Sequence, residues 1–286
     1  MDTRALTRHF TWKHYMKTQH ITALITGATG GIGRSFSQYL VQSGARIIMV
    51  ARNTIALKEL QNELRTQMVV KSNQVHFFAC DLLKGEDRQA LIEHVEGFEW
   101  PVNTLINNAG DNEFSLFENL TEQRIEKIIN LNTLSPMLLS RGLMPHLSQQ
   151  KQAQIVNVGS TFGSIGYPGY SAYCASKYAL RGFSEALRRE LSDGPIIVKY
   201  LSPRATNTRL NSANVLAMNK ELNVAMDSTH VVAQQLMNLL NGPHHELFIG
   251  WPEKFFSKLN QIMPNLVGRS ITKQLPVIRR YAQQGQ

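Results

Sequence analysis

The chain is poor in cysteine and has no long apolar run. Its only two cysteines among 286 residues, Cys80 and Cys174, exclude a disulfide framework and suit a reducing compartment. No apolar run reaches the roughly 20 residues of a membrane-spanning helix, and the N-terminus lacks the apolar stretch of a secretory signal. We therefore expect a cytoplasmic protein. Its composition, 43% hydrophobic and 18% charged, is that of an ordinary globular chain.

The formal net charge of +9 is concentrated at the two ends. Residues 1–20 contain four basic residues against one acidic residue, and residues 251–286 contain six against one. The body of the chain, residues 21–250, is therefore nearly neutral. It offers no broad positive surface for a phosphate backbone, and we expect no nucleic-acid partner.

Short apolar segments alternate with helical patterns through the body of the chain. The predicted strands are 21–26, 46–51, 75–79, 102–106, 155–158, 196–201 and 247–249. Such alternation is typical of βαβ units, whose right-handed crossovers build a doubly wound parallel sheet. The sequence thus predicts an α/β fold with about seven strands and with ligands at the carboxyl ends of the strands.

Both ends fall outside this pattern, so we divide the chain into segments 1–19, 20–250 and 251–286. We expect residues 1–19 to form a disordered extension, of which Met16 as an alternative start would remove residues 1–15. This segment is also basic and nearly free of acids, as mitochondrial presequences are.

The C-terminal segment interleaves apolar and basic residues, and Pro264 and Pro276 predict its division into short amphipathic helices. Such helices pack on the body, lie in a membrane interface, cover the cleft as a lid or meet an acidic carrier protein. The sequence leaves these alternatives open.

A glycine-rich turn, residues 26–33, joins the first strand to the first helix. Backbone that approaches a pyrophosphate closely cannot carry side chains, which explains the glycines. The helix N-terminus adds free amide donors and the positive end of its dipole. The assigned cofactor contacts are Thr26, Gly27, Thr29, Gly31, Ile32 and Gly33.

The end of the second strand indicates which dinucleotide binds. A ribose 2′-hydroxyl is usually held there by a carboxylate, whereas a 2′-phosphate prefers an arginine. Ala51 occupies the expected acidic position and Arg52 follows it. The sequence therefore predicts NADP(H) rather than NAD. Asp81, after the third strand, either accepts a hydrogen bond from the adenine amine or caps a helix.

Tyr173 and Lys177 are four residues apart and so lie one turn apart on the same helix face. A nearby ammonium stabilises a tyrosinate and lowers a phenol pKa whose reference value is about 10. We therefore predict that Lys177 lowers the pKa of Tyr173. Such a phenol can give a proton to a carbonyl oxygen or take one from an alcohol.

Three further segments stand at suitable distances from this pair. Residues 107–110 (NNAG) close the fourth strand, Asn132 lies 24 residues after Asn108, and Ser160 precedes Tyr173 by 13 residues. Together with the glycine turn, this ordered set resembles the single-domain branch of the short-chain dehydrogenase/reductases. The resemblance covers the central segment and implies a Rossmann-type sheet, followed here by an extra helical segment.

The resemblance implies a role for each matching position. Tyr173 is the expected general acid in carbonyl reduction, and Lys177 is expected to hold the nicotinamide ribose. Ser160 is expected to hydrogen-bond the substrate carbonyl, and Asn132 to hold a water that relays protons to Lys177. Further expected cofactor contacts are Asn108, Ala109, Gly110, Pro203 and Thr208. No metal ligands are assigned.

One departure from the family pattern lies after the sixth strand, where Pro203-Arg204 replaces the usual Pro-Gly. We expect Arg204 near the nicotinamide and the substrate entrance, where its guanidinium either binds an anionic group or turns to solvent. Residues 207–227, where the family has its variable substrate loop, are apolar and contain methionine. Such a segment suits a lipophilic substrate, or serves only core packing.

The sequence thus predicts an NADP(H)-dependent oxidoreductase that transfers hydride between the nicotinamide and the carbonyl or alcohol of a hydrophobic substrate, of an acyl-chain or steroid-like kind. The alternative is a nucleotide-sensing or scaffolding protein that docks a membrane or partner through residues 251–286. In this family the helix that carries the Tyr-Lys pair commonly packs across a dimer interface, so we expect a homodimer.

Overall fold

The computed structural model describes residues 16–67 and 73–284. Seven strands form one parallel sheet in the order β3-β2-β1-β4-β5-β6-β7. The direction of winding reverses between β1 and β4, as in a doubly wound sheet, and the predicted fold class is confirmed. The strands are β1 (Thr22–Thr26), β2 (Arg46–Ala51), β3 (Val75–Ala79), β4 (Thr104–Asn107), β5 (Ala153–Val158), β6 (Ile196–Ser202) and β7 (Glu246–Phe248).

Helices cover both faces of the sheet. In the body they are α1 (Gly31–Gln42), α2 (Thr54–Gln67), α3 (Gly85–Glu96), α4 (Glu122–Ile129), α5 (Ser135–Ser148), α6 (Ser171–Glu190), α7 (Ala213–Glu221) and α8 (Thr229–Asn241). A π-helical segment, Asn130–Leu134, joins α4 to α5. α1 ends where Gly44 takes a φ of 84°, the left-handed conformation that commonly terminates a helix.

The core lies on both sides of the sheet. Ala23 and Ile25 of β1 pack into one cluster and Leu24 into the other, all fully buried. A strand covered on both faces has no polar side, which is why its sequence reads as a continuous apolar run rather than an alternating one.

The folded body begins before residue 20. Met16 is buried in the core beside α8, and Thr18–His20 forms a 3-10 turn. Residues 16–19 therefore belong to the body, which the predicted boundary at residue 20 had left out. The expectation of disorder for residues 1–15 lies outside the described residues.

The C-terminal segment forms three short helices, α9 (Glu253–Ile262), α10 (Pro264–Thr272) and α11 (Leu275–Gln283). Pro264 and Pro276 stand in the first turns of α10 and α11, where a missing amide hydrogen costs nothing. Val267 and Ile278 are buried, so these helices pack on the body. Among the described residues, no helix is both long and apolar enough to cross a bilayer.

Candidate active site

One large cavity, of about 1090 Å³, opens along the carboxyl edge of the sheet. It runs from the glycine turn, past the ends of β4 and β5, to the inner side of α9 and α10. Every predicted site residue lines it except Thr26 and Asn132. The structure thus brings together residues that are up to 181 positions apart in the sequence, from Gly27 to Thr208.

The glycine turn is packed too tightly for side chains. Gly27 has a φ of 65°, and a Cβ on Gly33 would lie 2.2 Å from the carbonyl oxygen of Gly27. Thr26 lies behind the turn, where its hydroxyl accepts hydrogen bonds from the amides of Asn108 (2.9 Å) and Ala109 (3.0 Å). In the other direction, Asn108 Nδ2 donates a hydrogen bond to the Thr26 carbonyl oxygen at 2.9 Å. Thr26 and Asn108 therefore fasten the turn to the end of β4.

The far end of the cavity holds the residues assigned to the adenosine half of the cofactor. Arg52 follows β2, is exposed, and forms no hydrogen bond or ion pair with any described residue. Asp81 also lines the cavity, and its Oδ1 accepts a hydrogen bond from the Leu83 amide at 3.1 Å. This bond caps a turn and not a helix, because α3 begins at Gly85 with Lys84 before it. The helix-cap alternative for Asp81 is therefore wrong.

Ser160, Tyr173 and Lys177 meet at the centre of the cavity. Ser160 follows β5, where its Oγ accepts from the Phe162 amide at 3.1 Å and hydrogen-bonds the Tyr173 hydroxyl. Tyr173 stands in the first turn of α6 and Lys177 one turn later, as predicted. The Lys177 Nζ lies 5.7 Å from the centre of the Tyr173 ring and donates to the Val158 carbonyl oxygen at 2.9 Å.

The acidities of this group differ from the prediction. Burial raises the pKa of Tyr173 to about 12, which the Ser160 hydrogen bond only partly opposes. Burial also lowers the pKa of Lys177 to about 8. Lys177 does not contribute to the change in the Tyr173 pKa. The prediction that Lys177 lowers this pKa is therefore wrong for this site. Both side chains lose hydration where they are buried in the cavity wall, and this loss affects their pKa values more than their proximity does.

Asn132 lies beside the cavity, fully buried within the π-helical segment. Its Oδ1 accepts from the Asp111 amide at 2.8 Å, and its Nδ2 donates to the Asp111 carbonyl oxygen at 2.8 Å and to Ser176 Oγ at 3.0 Å. The side chain therefore braces the segment after β4 against α6. Gly110 permits this approach, because a Cβ there would lie 3.1 Å from Asn132 Oδ1. The water relay assigned to Asn132 stays a prediction.

Arg204 takes neither of the two predicted orientations. Its Nε and Nη2 donate to the two carboxylate oxygens of Asp227 at 2.9 and 2.8 Å, and its Nη1 donates to Glu253 at 3.1 Å. The Asp227 hydrogen bond is the main reason that the pKa of Arg204 is raised. Gly250, at a φ of 94°, makes room, since a Cβ there would lie 2.6 Å from Arg204 Cδ. The guanidinium therefore ties the substrate loop to the start of α9.

The support beneath Ser160 was not predicted from the sequence. The Tyr200 side chain is fully buried and fills the space under the loop after β5. A Cβ on Gly159 would lie 2.0 Å from the Tyr200 hydroxyl, and one on Gly163 would lie 2.5 Å from it. A tyrosine in a buried strand, opposite two glycines around Ser160, is the signal that could have revealed this contact.

The aromatic wall beside Tyr173 was also not predicted from the sequence. The ring centres of Phe162 and Tyr170 lie 6.3 and 6.2 Å from that of Tyr173, and Tyr167 stacks on Phe162 at 5.1 Å. The Tyr167 hydroxyl in turn donates to Gln274 Oε1 at 3.0 Å. This wall connects Tyr173 to the C-terminal helices.

The lowered pKa of Lys177 predicts how stability changes with pH. Between about pH 8 and about pH 10 the unfolded chain, with a lysine pKa near 10.4, holds more protons at this position than the folded chain. The free energy of unfolding of the wild type should therefore rise with pH across this window relative to that of Lys177→Met, by up to about 3 kcal/mol. Denaturant titrations at several pH values measure the difference, and parallel curves for the two proteins would contradict the lowered pKa.

Comparison with known proteins agrees with this geometry. The family described as short chain dehydrogenase matches residues 21–219. The mouse protein named dehydrogenase/reductase SDR family member 7B is 32% identical over 206 residues, a match that covers 72% of this chain and 63% of the relative. The chain thus spans less than two thirds of the length of that relative.

Two solved structures show the same fold. A short-chain dehydrogenase/reductase from Burkholderia phymatum, in complex with NAD, matches with a TM-score of 0.78 and 21% identity over 88% of this chain and 96% of its own. A short-chain dehydrogenase from Sphingobium yanoikuyae, in complex with NADPH, matches with a TM-score of 0.71 and 26% identity over 87% of this chain and 95% of its own. With a family match that extends over more than half of its length, the chain belongs to the short-chain dehydrogenase family.

Proposed function

We propose that the chain is an NADP(H)-dependent oxidoreductase that interconverts the carbonyl and the alcohol of a hydrophobic substrate. The observation that carries this proposal is the meeting of Ser160, Tyr173 and Lys177 on the wall of one cavity that also contains the glycine turn. Two hydroxyls and an ammonium at one point are the groups that protonate and polarise a carbonyl oxygen.

The turn fits a dinucleotide pyrophosphate. Gly27 has a positive φ, and a Cβ on Gly33 would lie only 2.2 Å from the Gly27 carbonyl oxygen. The turn therefore has no room for side chains there and presents bare backbone before α1. Amides at the N-terminus of this 12-residue helix can then donate to phosphate oxygens. When bound, the nicotinamide supplies or accepts the hydride, and the protein groups position the substrate and move the proton.

Tyr173 is the proposed proton donor in reduction. A pKa of about 12 keeps its hydroxyl protonated near neutral pH, which is the state that a proton donor needs. Ser160 Oγ accepts from the Phe162 amide and shares a hydrogen bond with Tyr173, so the two hydroxyls lie side by side in the cavity wall. Lys177, whose pKa is about 8, remains largely charged at neutral pH, and we assign its ammonium to holding the nicotinamide ribose.

The substrate side of the cavity supports a hydrophobic substrate. Its lining residues from the body include the apolar side chains of Phe162, Ile165, Tyr170 and Val215 beside polar ones such as Arg209 and Asn219, and the C-terminal helices add Phe256, Val267 and Ile271. Arg204 lines the same side but is held by two carboxylates, so its charge does not require an anionic substrate group. A ketone on an acyl-chain or steroid-like skeleton suits such a surface.

The preference for NADP(H) rests on Arg52 and gives a direct test. NADPH should bind the wild type about tenfold to a hundredfold more tightly than NADH, because a 2′-phosphate gains charge-assisted hydrogen bonds from the free guanidinium. Arg52→Ala should remove this difference without changing the affinity for NADH. Fluorescence titration with both nucleotides measures it. Arg46→Ala, at the opposite end of the same strand, is the matched control, and equal affinities of the wild type for both nucleotides would refute the assignment.

We also propose a cytoplasmic homodimer with peripheral membrane contact through residues 251–286. Leu134, Met137 and Tyr178 are exposed on the π-helical segment, α5 and α6, and support a dimer through these helices. The basic, amphipathic character of the C-terminal helices supports the membrane contact.

A further inference from the structure

Exposed apolar side chains are concentrated on the outer side of α9 and the start of α10. Of the 14 large hydrophobic side chains that are exposed among the described residues, six lie within residues 251–266. We name five of them the tail patch: Trp251, Phe255, Ile262, Met263 and Leu266. Trp251 and Ile262 are the most open, at 71% and 79% exposed. Apolar groups gathered in this way mark an interaction surface.

The tail patch is turned away from the body. Phe255 and Ile262 are seven residues apart and share one face of α9, and the Trp251 ring stacks on that of Phe255 with centres 6.3 Å apart. The opposite face of the helix buries Ser257, and Asn260 there donates to the Ser164 carbonyl oxygen at 2.9 Å. The helix is thus anchored by one side and presents the other.

Unpaired positive charge surrounds the tail patch. Lys254 and Lys258 of α9 are exposed beside it, and neither forms an ion pair with any described residue. Farther along the C-terminal helices the same holds for three more exposed cations, Arg269, Lys273 and Arg279. The only acidic residue of residues 251–286, Glu253, is already bound to Arg204. The surface is therefore apolar at its centre and positive around it.

We propose that the tail patch docks α9 and α10 onto an anionic lipid surface. Tryptophan, phenylalanine and isoleucine enter the interfacial region of a bilayer, while flanking lysines are attracted to anionic headgroups. A second copy of the chain is a poorer occupant, because face-to-face packing would bring Lys254 and Lys258 against like charges.

Docking of α9 and α10 has a consequence for the substrate, because the inner side of these helices lines the cavity. Phe256 on α9, with Val267 and Ile271 on α10, lines the cavity. A hydrophobic substrate can therefore pass from the lipid to Tyr173 along one apolar wall. The docking deepens the membrane contact proposed above, and only this last step rests on the proposed oxidoreductase activity.

The test measures sedimentation of the full chain with vesicles of phosphatidylcholine alone and with vesicles of equal parts phosphatidylcholine and phosphatidylserine. The wild type should bind the anionic vesicles, and binding should weaken as salt is added. Trp251→Ser/Phe255→Ser/Ile262→Ser should lower the partition coefficient by about tenfold or more. Lys254→Gln/Lys258→Gln should lower it about tenfold on anionic vesicles only.

Ile55→Ser is the matched control, because Ile55 is 70% exposed on α2 and lies outside the tail patch. It should bind as the wild type does. The proposal fails if the wild type does not sediment with anionic vesicles, or if the triple variant matches Ile55→Ser. A triple variant that dissociates a dimer without changing vesicle binding would assign the surface to self-association instead. Sedimentation needs no turnover, so an inactive protein that still binds vesicles would overturn the proposed function alone.

Discussion

Tyr173→Phe is expected to lower kcat/KM for carbonyl reduction by about a hundredfold to ten-thousandfold, the usual contribution of a positioned proton donor. The substitution removes only the hydroxyl that bonds Ser160, and the ring keeps its place beside Phe162 and Tyr170. NADPH affinity should therefore change little. The measurement is NADPH oxidation with ketones graded by chain length, together with a nucleotide titration.

Tyr170→Phe provides the matched control for this loss. Tyr170 belongs to the same aromatic wall and is also buried, but its hydroxyl has no hydrogen bond to Ser160 in the structure. Its variant should retain activity within a few fold. Near-normal turnover by Tyr173→Phe would mean that another group donates the proton. If instead turnover is lost but the cellular role persists, the nucleotide-sensing or scaffolding alternative gains support.

Arg204→Met is expected to destabilise the protein by about 3–5 kcal/mol, the typical cost of leaving a buried partner charge unpaired. Asp227 is only 9% exposed and loses both of its guanidinium hydrogen bonds, while Glu253 loses one. The start of α9 should also separate from the substrate loop. Urea unfolding, followed by circular dichroism, measures the free energy of unfolding.

Arg280→Met tests whether burial is the cause. Arg280 also joins the C-terminal helices to the body, through Glu221 on α7, but both side chains are largely exposed. Its loss should therefore have a much smaller effect. Adding Asp227→Asn to Arg204→Met should recover part of the stability, because the unpaired carboxylate is then neutral. Equal destabilisation by Arg204→Met and Arg280→Met would contradict this account.

Features that depend on local sequence were predictable. The glycine turn, the seven strands and the one-turn spacing of Tyr173 and Lys177 all follow from patterns within a few residues of each other. Backbone conformation and helix spacing are set by such short-range sterics. The meeting of these segments at one edge follows from the parallel arrangement, which places every strand's carboxyl end on the same side.

Features that depend on the surrounding fold were not predictable. The pKa of Tyr173 depends on how far the surrounding side chains exclude water from its hydroxyl. The four-residue spacing between Tyr173 and Lys177 does not predict this exclusion. Arg204 finds its partners 23 and 49 residues away in sequence, at Asp227 and Glu253. A residue named from a local pattern can thus be placed correctly while its charge and contacts are set by distant segments.

In the proposed function, the contribution of α9 and α10 to the cavity wall assigns substrate selectivity and chemistry to different parts of the chain. Ser160, Tyr173 and Lys177 all precede residue 180, whereas Phe256, Val267 and Ile271 follow residue 250. Sequence changes in the last thirty or so residues could therefore alter the substrate preference without changing Ser160, Tyr173 or Lys177. Replacing the C-terminal segment of one relative with that of another is therefore expected to transfer the substrate preference with it.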